Sequence, residues 1–398
     1  MKKLRIQDLT PLPRLLIAGA STRAAAESAA RAGVEVTALD AYADIDQHPS
    51  VRALQIPRAS GVRTSADALA EAAAGIDADA VVYLSPFENH PHALTALVRG
   101  RRLLGNSVDV LRRVRDPLVV QRELQRRGFD VPRVTVSRSR RDGDPASVAS
   151  GAADAARSWL LKPLASGGGH GIRPCDASIT VRAGWYVQER IDGWPGSVTF
   201  VAAGGRCRVL AVTRQVVGDP AFGASAYRYC GSLMTAADPS DHVNERLSSA
   251  AGALAAAVTE TFDLVGVNGI DFIARHDVPV PVEINPRWTS SMELVDRLSS
   301  TPVMGSHIEA CHGSLGAGPP LHGASRVTGK AIVFARTDVM TPDTREWLND
   351  SCVRDVPAPR QRITGGQPVC TVFAEGPTVD ACYTALVRRA GDVYGWLR

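Results

Sequence analysis

Two stretches of the chain carry residue types and spacings suited to chemistry. The first is Trp159-Leu160-Leu161-Lys162-Pro163, followed by Leu164-Ala165-Ser166-Gly167-Gly168-Gly169-His170-Gly171. An apolar strand delivers a lysine, and a glycine loop follows at once. Successive backbone N–H groups of such a loop can turn toward one anion, and a nest of this kind favours phosphate. Lys162 adds a compact, mobile positive charge beside it. A P-loop carries its lysine after the glycines. Here the lysine comes before them, so the loop is a phosphate binder of another kind. Gly167, Gly168, Gly169 and Gly171 alone would read as a surface turn; Lys162-Pro163 in front favours phosphate.

The second stretch is Val265-Gly266-Val267-Asn268-Gly269-Ile270-Asp271-Phe272-Ile273, followed by Val280-Pro281-Val282-Glu283-Ile284-Asn285-Pro286-Arg287. Two strands joined at His276-Asp277 would set Asp271 beside Glu283. Residues two apart on a strand share a face, so Glu283, Asn285 and Arg287 point the same way. Carboxylate and amide oxygens aimed at one spot suit Mg²⁺, a hard ion that also takes phosphate oxygens. Arg287 is then placed to hold an anionic substrate or the charge of a transition state. An exposed polar strand face explains one such residue more easily than three in alternation.

These groups need a scaffold, and the chain supplies alternating strand and helix signals. Strands are predicted at 14–18, 34–39 and 80–84, with helices at 24–32 and 66–74, which implies a parallel sheet with covered faces. A helix at 112–127 is closed by Gly128. A polar loop and a short helix fall at 137–157. Strands at 158–162 and 185–189, a hairpin of 198–202 with 206–215, and a helix at 245–262 follow. A helix starts at 292–298, a glycine- and proline-rich linker runs over 313–323, and a tail unit has strands near 330–335 and 369–374 and a helix at 379–390. Gly19, Ser21 and Ala24 occupy the positions of a Gly-x-Gly-x-x-Gly fingerprint. With one glycine of three, a pyrophosphate has no close backbone approach there.

Composition narrows the function classes. The 398 residues are 45% hydrophobic and 22% charged, the balance of an ordinary globular protein. No apolar run approaches the roughly 18–20 residues that span a bilayer. The first residues lead into no apolar leader, so a cytoplasmic location is expected. The net charge of +4 is mild. The arginines between Arg99 and Arg127 lie at helical spacing and read as a solvated face, not a nucleic-acid groove. Seven cysteines without a Cys-x-x-Cys pair argue against a disulfide framework or zinc cluster. Lysine occurs only at 2, 3, 162 and 330, which singles out Lys162 as a place where arginine would not serve.

A lysine before a glycine loop, then Gln188-Glu189-Arg190-Ile191-Asp192-Gly193, an Asp strand and Glu-Ile-Asn-Pro-Arg together resemble the ATP-grasp superfamily over roughly residues 113–300. The nearest subgroup resembled is the predicted ATP-dependent carboligases related to biotin carboxylase, some of which are associated with tetrahydromethanopterin or methylofuran pathways. The resemblance implies an α/β fold: a parallel-sheet domain at 1–112, an ATP-grasp core with small lobe 113–187 and large lobe 188–322, and a small β-rich unit at 323–398.

The same resemblance implies roles. Lys162 would contact the α- and β-phosphates, and the glycine loop would close over them. Gln188, Glu189 and the backbone near Ile191 would lie at the adenine hinge. Asp271, Glu283 and Asn285 would hold Mg²⁺ or Mn²⁺. Arg287 would face the acyl phosphate or substrate carboxylate, and Arg214 is a weaker triphosphate candidate. A second ATP-binding lysine common in such proteins is missing from Arg115-Asp116-Pro117, leaving Arg115 or Arg122 to substitute.

The expected activity is an ATP- and Mg²⁺-dependent carboxylate–amine ligase acting through an acyl phosphate. A bicarbonate-using carboxylase and a nucleotide-binding regulator are the alternatives. Small-molecule acid and amine are the expected partners, with neither nucleic acid nor membrane, and a homodimer by analogy. Substrate contacts are less legible: Glu88 could hold an amine, His90 could move protons, and Tyr227 to Ser232 could form a substrate loop.

Overall fold

The computed structural model describes residues 14–56, 65–136, 157–176, 179–234, 244–316 and 326–397. The polar loop and helix expected at 137–157 lie, except for the last residue, outside the described residues, as does most of the 313–323 linker.

The N-terminal part is a five-stranded parallel sheet of order β3-β2-β1-β4-β5. Its strands are β1 (Leu15–Ala18), β2 (Val36–Asp40), β3 (Val51–Gln55), β4 (Ala80–Tyr83) and β5 (Arg102–Leu103). β1 and β4 are buried throughout, as continuous apolar runs inside a covered parallel sheet should be. Helix α1 (Arg23–Arg31) covers one face, and α2 (Ala66–Ala73), α3 (Pro91–Leu97) and α4 (Val108–Val114) cover the other. Gly19 serves packing: a Cβ there would lie 2.6 Å from Cβ of Leu84, at the adjoining end of β4. The acid that ends β2 is also committed locally. Asp40 accepts from the Thr22 amide and hydroxyl and from the amides of Tyr42 and Ala43. Neither residue is available to a dinucleotide.

The helix predicted across 112–127 is two helices. α4 ends at Val114 and α5 (Pro117–Arg126) starts afresh. Asp116 is extended and accepts from the amides of Leu118 and Val119 as the N-cap. Proline at 117 disfavours a helical residue before it and suits the first helical position. The break puts Arg115 in a bend, where its side chain turns inward.

A separate four-stranded sheet has the order β6-β9-β7-β8. It contains β6 (Val134–Val136), β7 (Trp159–Pro163), β8 (Arg173–Cys175) and β9 (Trp185–Glu189), with Trp159, Leu161, Val181 and Val187 as its own core.

The largest sheet has eight strands, β14-β13-β10-β11-β12-β15-β19-β17. The strands are β10 (Trp194–Ala203), β11 (Arg206–Val217), β12 (Tyr229–Met234), β13 (Gly266–Arg275), β14 (Val278–Asn285), β15 (Val327–Phe334), β17 (Val353–Arg354) and β19 (Pro368–Gly376); β16 (Val339–Met340) and β18 (Arg362–Ile363) pair separately. Helix α6 (Glu245–Phe262) lays Leu247, Leu254, Val258 and Phe262 on β10 and β13. Asn244 caps its first turn, and Asp263 ends it in a left-handed conformation. Helices α7 (Met292–Leu298) and α8 (Val303–Cys311) sit between this sheet and α1. The C-terminal strands are part of this sheet, because β12 pairs with β15 from Gly231↔Ala331 to Met234↔Thr328. Helix α9 (Val379–Trp396) covers that end.

Candidate active site

The β13–β14 hairpin brings the predicted oxygen ligands together. Asp271 and Glu283 are register partners, and Gly269 pairs with Asn285. Nδ2 of Asn285 donates to Asp271 Oδ2 at 2.9 Å, and Nε2 of Gln215 on β11 donates to Oδ1 at 2.8 Å. Burial, then the facing charge of Glu283, pushes the Asp271 carboxyl up to about 6. Two carboxylates crowded together in this way are a site that a divalent cation would relieve. The donor set of two carboxylates and an amide oxygen fits Mg²⁺, which takes one or two carboxylates and leaves positions for phosphate oxygens. Among the described residues no cluster of three His, Cys, Asp or Glu side chains could hold a metal by itself.

Arg214 is not in this group. The register runs Ser197↔Thr213 and Ser197↔Asp271, so Thr213 and Gln215 share the face of Asp271. Alternation sends Arg214 to the opposite face. Gln215 is the contribution of β11, one residue from the predicted position.

Lys162 is buried on β7, donating to Gln188 Oε1 at 2.9 Å across to β9 and stacking over Tyr186. Lys162 and Gln188 line a cleft with Arg115, Gly167, Gly169, Val282 and Glu283. Glu189 does not join them. It pairs with Trp159, on the other face of the small sheet, and its carboxylate takes the Arg133 amide at 3.1 Å and the Arg157 guanidinium. The Ile191 side chain is likewise absent from the cleft wall.

Arg115 occupies the centre of the cleft wall. It donates to Glu283 Oε1 at 2.7 Å, to the Ile284 carbonyl at 2.9 Å, to Asn89 Oδ1 at 3.0 Å and to the Ser166 carbonyl at 3.2 Å. Arg122 instead pairs with Glu123 on the surface. Of the two arginines that could substitute for the missing lysine, Arg115 is the one in the cleft.

The glycine loop is folded down onto β12. The Tyr229 amide donates to the Gly168 carbonyl at 3.2 Å, and the Ser166 hydroxyl donates to the His170 carbonyl at 2.6 Å. Gly169 has φ +77°, and a Cβ on it would lie 1.7 Å from the Tyr227 carbonyl oxygen. Only glycine permits this seating. With the loop down, the cleft encloses about 60 Å³, well below the roughly 300–1,000 Å³ of ligand sites. The segment expected to be a substrate loop is mostly strand: residues from Tyr229 belong to β12, and Tyr227 forms the floor under Gly169.

A second cavity, of about 390 Å³, adjoins the cleft, and Gly167 lines both. Its wall includes Arg287, Arg228, His170, Lys330 and Glu293, together with Ser21 and Ser85 at the C-terminal ends of β1 and β4. Open parallel sheets bind ligands at those ends. Arg287 pairs with Glu88 at 2.7 Å and donates to Asn285 Oδ1 at 3.3 Å. Burial would raise the Glu88 carboxyl, but Arg287, with Arg115, outweighs it and holds the group below its usual range. Glu88 is therefore committed to Arg287 and is not free to hold an amine, and His90 only starts α3. Lys330 and Arg23 converge on Glu293, whose carboxyl they hold down to about 2 against burial. None of these three pairings has a local sequence signal.

Residues 114–291 match the family described as an ATP-grasp domain. No curated protein matches the chain by sequence. Solved structures match it nearly end to end. Biotin carboxylase from Campylobacter jejuni, crystallised as a β,γ-ATP complex, has a TM-score of 0.69 at 13% identity over 94% of this chain and 90% of its own. N5-carboxyaminoimidazole synthase from Aspergillus clavatus, in complex with ADP and 5-aminoimidazole ribonucleotide, gives 0.67 at 16% identity over 96% and 99%. L-amino acid ligase from Bacillus licheniformis gives 0.63 at 14% identity over 96% and 98%. The chain carries an ATP-grasp domain. Around it, the whole molecule has the fold shared by biotin carboxylase and these ATP-grasp ligases.

Proposed function

We propose that the protein is an ATP- and Mg²⁺-dependent ligase that joins a small carboxylic acid to an amine through an acyl phosphate. The observation that carries this reading is the junction at Gly167. There a cleft lined by Lys162, Arg115 and Glu283, the register partner of Asp271, meets a larger cavity lined by Arg287. Lys162, Arg115 and the amides of Gly167, Gly168, Gly169 and Gly171 would bind the phosphates, and Gln188 would line the adenine side. Asp271, Glu283 and Asn285 would hold Mg²⁺, which would supply charge neutralisation of the β- and γ-phosphates. Arg287, held by Glu88, would orient the acid.

A carboxylate oxygen then attacks the γ-phosphorus and ADP leaves. The amine, as its free base, attacks the acyl carbon, the C–O bond to phosphate breaks, and the released N–H proton leaves with inorganic phosphate. The seated loop excludes water during that interval. The product would be a small molecule or a cofactor precursor, such as those of one-carbon metabolism. A bicarbonate-using carboxylase is the second reading, supported by the likeness to biotin carboxylase.

The test is ADP release over pairs of acids and amines, with and without bicarbonate. Glu283→Gln should reduce ADP release at least about a hundredfold, as expected for loss of a group that stabilises transferring charge, while circular dichroism stays unchanged. Undiminished turnover in this variant would remove the metal assignment. ADP release that depends on bicarbonate alone would favour the carboxylase.

A further inference from the structure

The larger cavity has a cationic side, formed by Arg287, Arg228 and Lys330, and an acidic side. The acidic side is built where the segment after β2 meets the segment after β17. The Ile45 amide donates to the Val356 carbonyl at 2.8 Å, and Asp46 takes the amides of Asp355 and Val356 at 3.0 and 2.9 Å. Asp355 is fully engaged, accepting from Arg23 Nε at 2.7 Å and from the Thr371 hydroxyl at 2.5 Å.

Asp44 is different. It lines the cavity, is only 6% exposed, and among the described residues makes no hydrogen bond or ion pair. The carboxylates that act on it are Asp355, Asp40 and Asp46, and the buried cation in reach is Arg23. Arg23 is already shared among Glu27, Asp46, Glu293 and Asp355. Burial, then Asp355, Asp40 and Asp46, push the Asp44 carboxyl well above its usual range. An unpaired buried carboxylate is costly, and a matching cation offsets that cost.

We propose that Asp44 binds a cationic nitrogen, a primary ammonium or a guanidinium, carried by a substrate in this cavity. The pair of compounds joined by the enzyme then includes one that is positively charged at neutral pH, with its charge held at Asp44 and its anionic end toward Arg287. The assignment rests on taking this cavity as the substrate chamber of the ligase.

The test is calorimetric binding to the full chain of L-lysine, L-ornithine, L-arginine, putrescine and agmatine, with Mg-ATP absent and present. Each compound is paired with an uncharged counterpart such as L-norleucine, L-citrulline or 1,4-butanediol. At least one cationic probe should bind tenfold or more tightly than its counterpart, and Asp44→Asn and Asp44→Ser should both abolish that preference. Mg-ATP binding by both variants should stay as in the parent, which reports an intact fold. No preference for any cationic probe, or a preference that survives both substitutions, overturns the assignment. Asp44-dependent binding without ADP release for any acid and amine would keep the assignment and remove the ligase reading. ADP release indifferent to Asp44 would do the reverse.

Discussion

Single side chains here do their work through one or two contacts, and His307 displays how tightly such a contact sets a protonation state. It is buried, accepts the Val267 amide at Nδ1 (2.9 Å) and lies 3.2 Å from the Leu104 carbonyl at Nε2. The proton therefore sits on Nε2, and the imidazole is neutral. Burial pushes its pKa down to about 4, with the Leu104 carbonyl opposing. The unfolded chain takes up this proton near 6.5 and the folded chain only near 4. Stability from this residue is thus complete above about pH 6.5 and lost as pH falls toward 4, by roughly 3 kcal/mol at most. Asp46, raised to about 6, acts with the opposite sign over an overlapping range. The difference between parent and variant isolates the histidine: urea unfolding of His307→Gln should lose part of the parent's fall in stability between pH 6.5 and 4. Parallel pH profiles would show that His307 does not carry it.

At the scale of elements, the hairpin is held by two ladders while the glycine loop is held by a few contacts. β13 and β14 are locked into the large sheet by ladder pairing on both sides of β13. The glycine loop is held to β12 by a few contacts around Gly168 and Gly169. Gly169→Ala would add a Cβ that overlaps the Tyr227 carbonyl, in a left-handed conformation that costs about 1–3 kcal/mol for a residue with a side chain. ADP release should fall tenfold or more, because the closed state is disfavoured. Nucleotide binding to the open cleft should change by less than about threefold, and a turnover number equal to the parent's would refute the closing role. The hairpin was legible from sequence because its partners are close in the chain, and alternation alone put Asp271, Glu283 and Asn285 together. The same alternation, applied to β11, needed a register that only the folded sheet supplies, so Gln215 and not Arg214 emerged. Glu189 was lost to the cleft for the same reason, since its face is fixed by pairing with Trp159.

Across the whole molecule, buried charge ties the N-terminal part to the large sheet. Arg23 on α1 is 1% exposed and pairs with Glu293 on α7, with Asp355 at 2.7 Å, with Glu27 at 3.0 Å and with Asp46 at 3.5 Å. Lys330 on β15 shares Glu293. Removing one partner of a buried network leaves the others uncompensated, at about 3–5 kcal/mol. Arg23→Met should lower the urea midpoint accordingly, and a loss under about 1 kcal/mol would show that the docking of the N-terminal sheet does not depend on this cluster.

The division between sequence and structure follows from distance along the chain. Lys162 with its glycines, and the Asp271 hairpin with Glu-Ile-Asn-Pro-Arg, are short-range patterns, and local geometry fixes what each can bind. The parallel sheet at the start was equally local in origin, arising from apolar runs alternating with helix signals. Arg115 on Glu283, Glu88 on Arg287 and Lys330 on Glu293 join residues separated by 168, 199 and 37 positions. No periodicity encodes such pairs. They exist because packing removes water from charges that must then find one another, and the same packing left Asp44 facing a cavity without an ion-pair partner among the described residues.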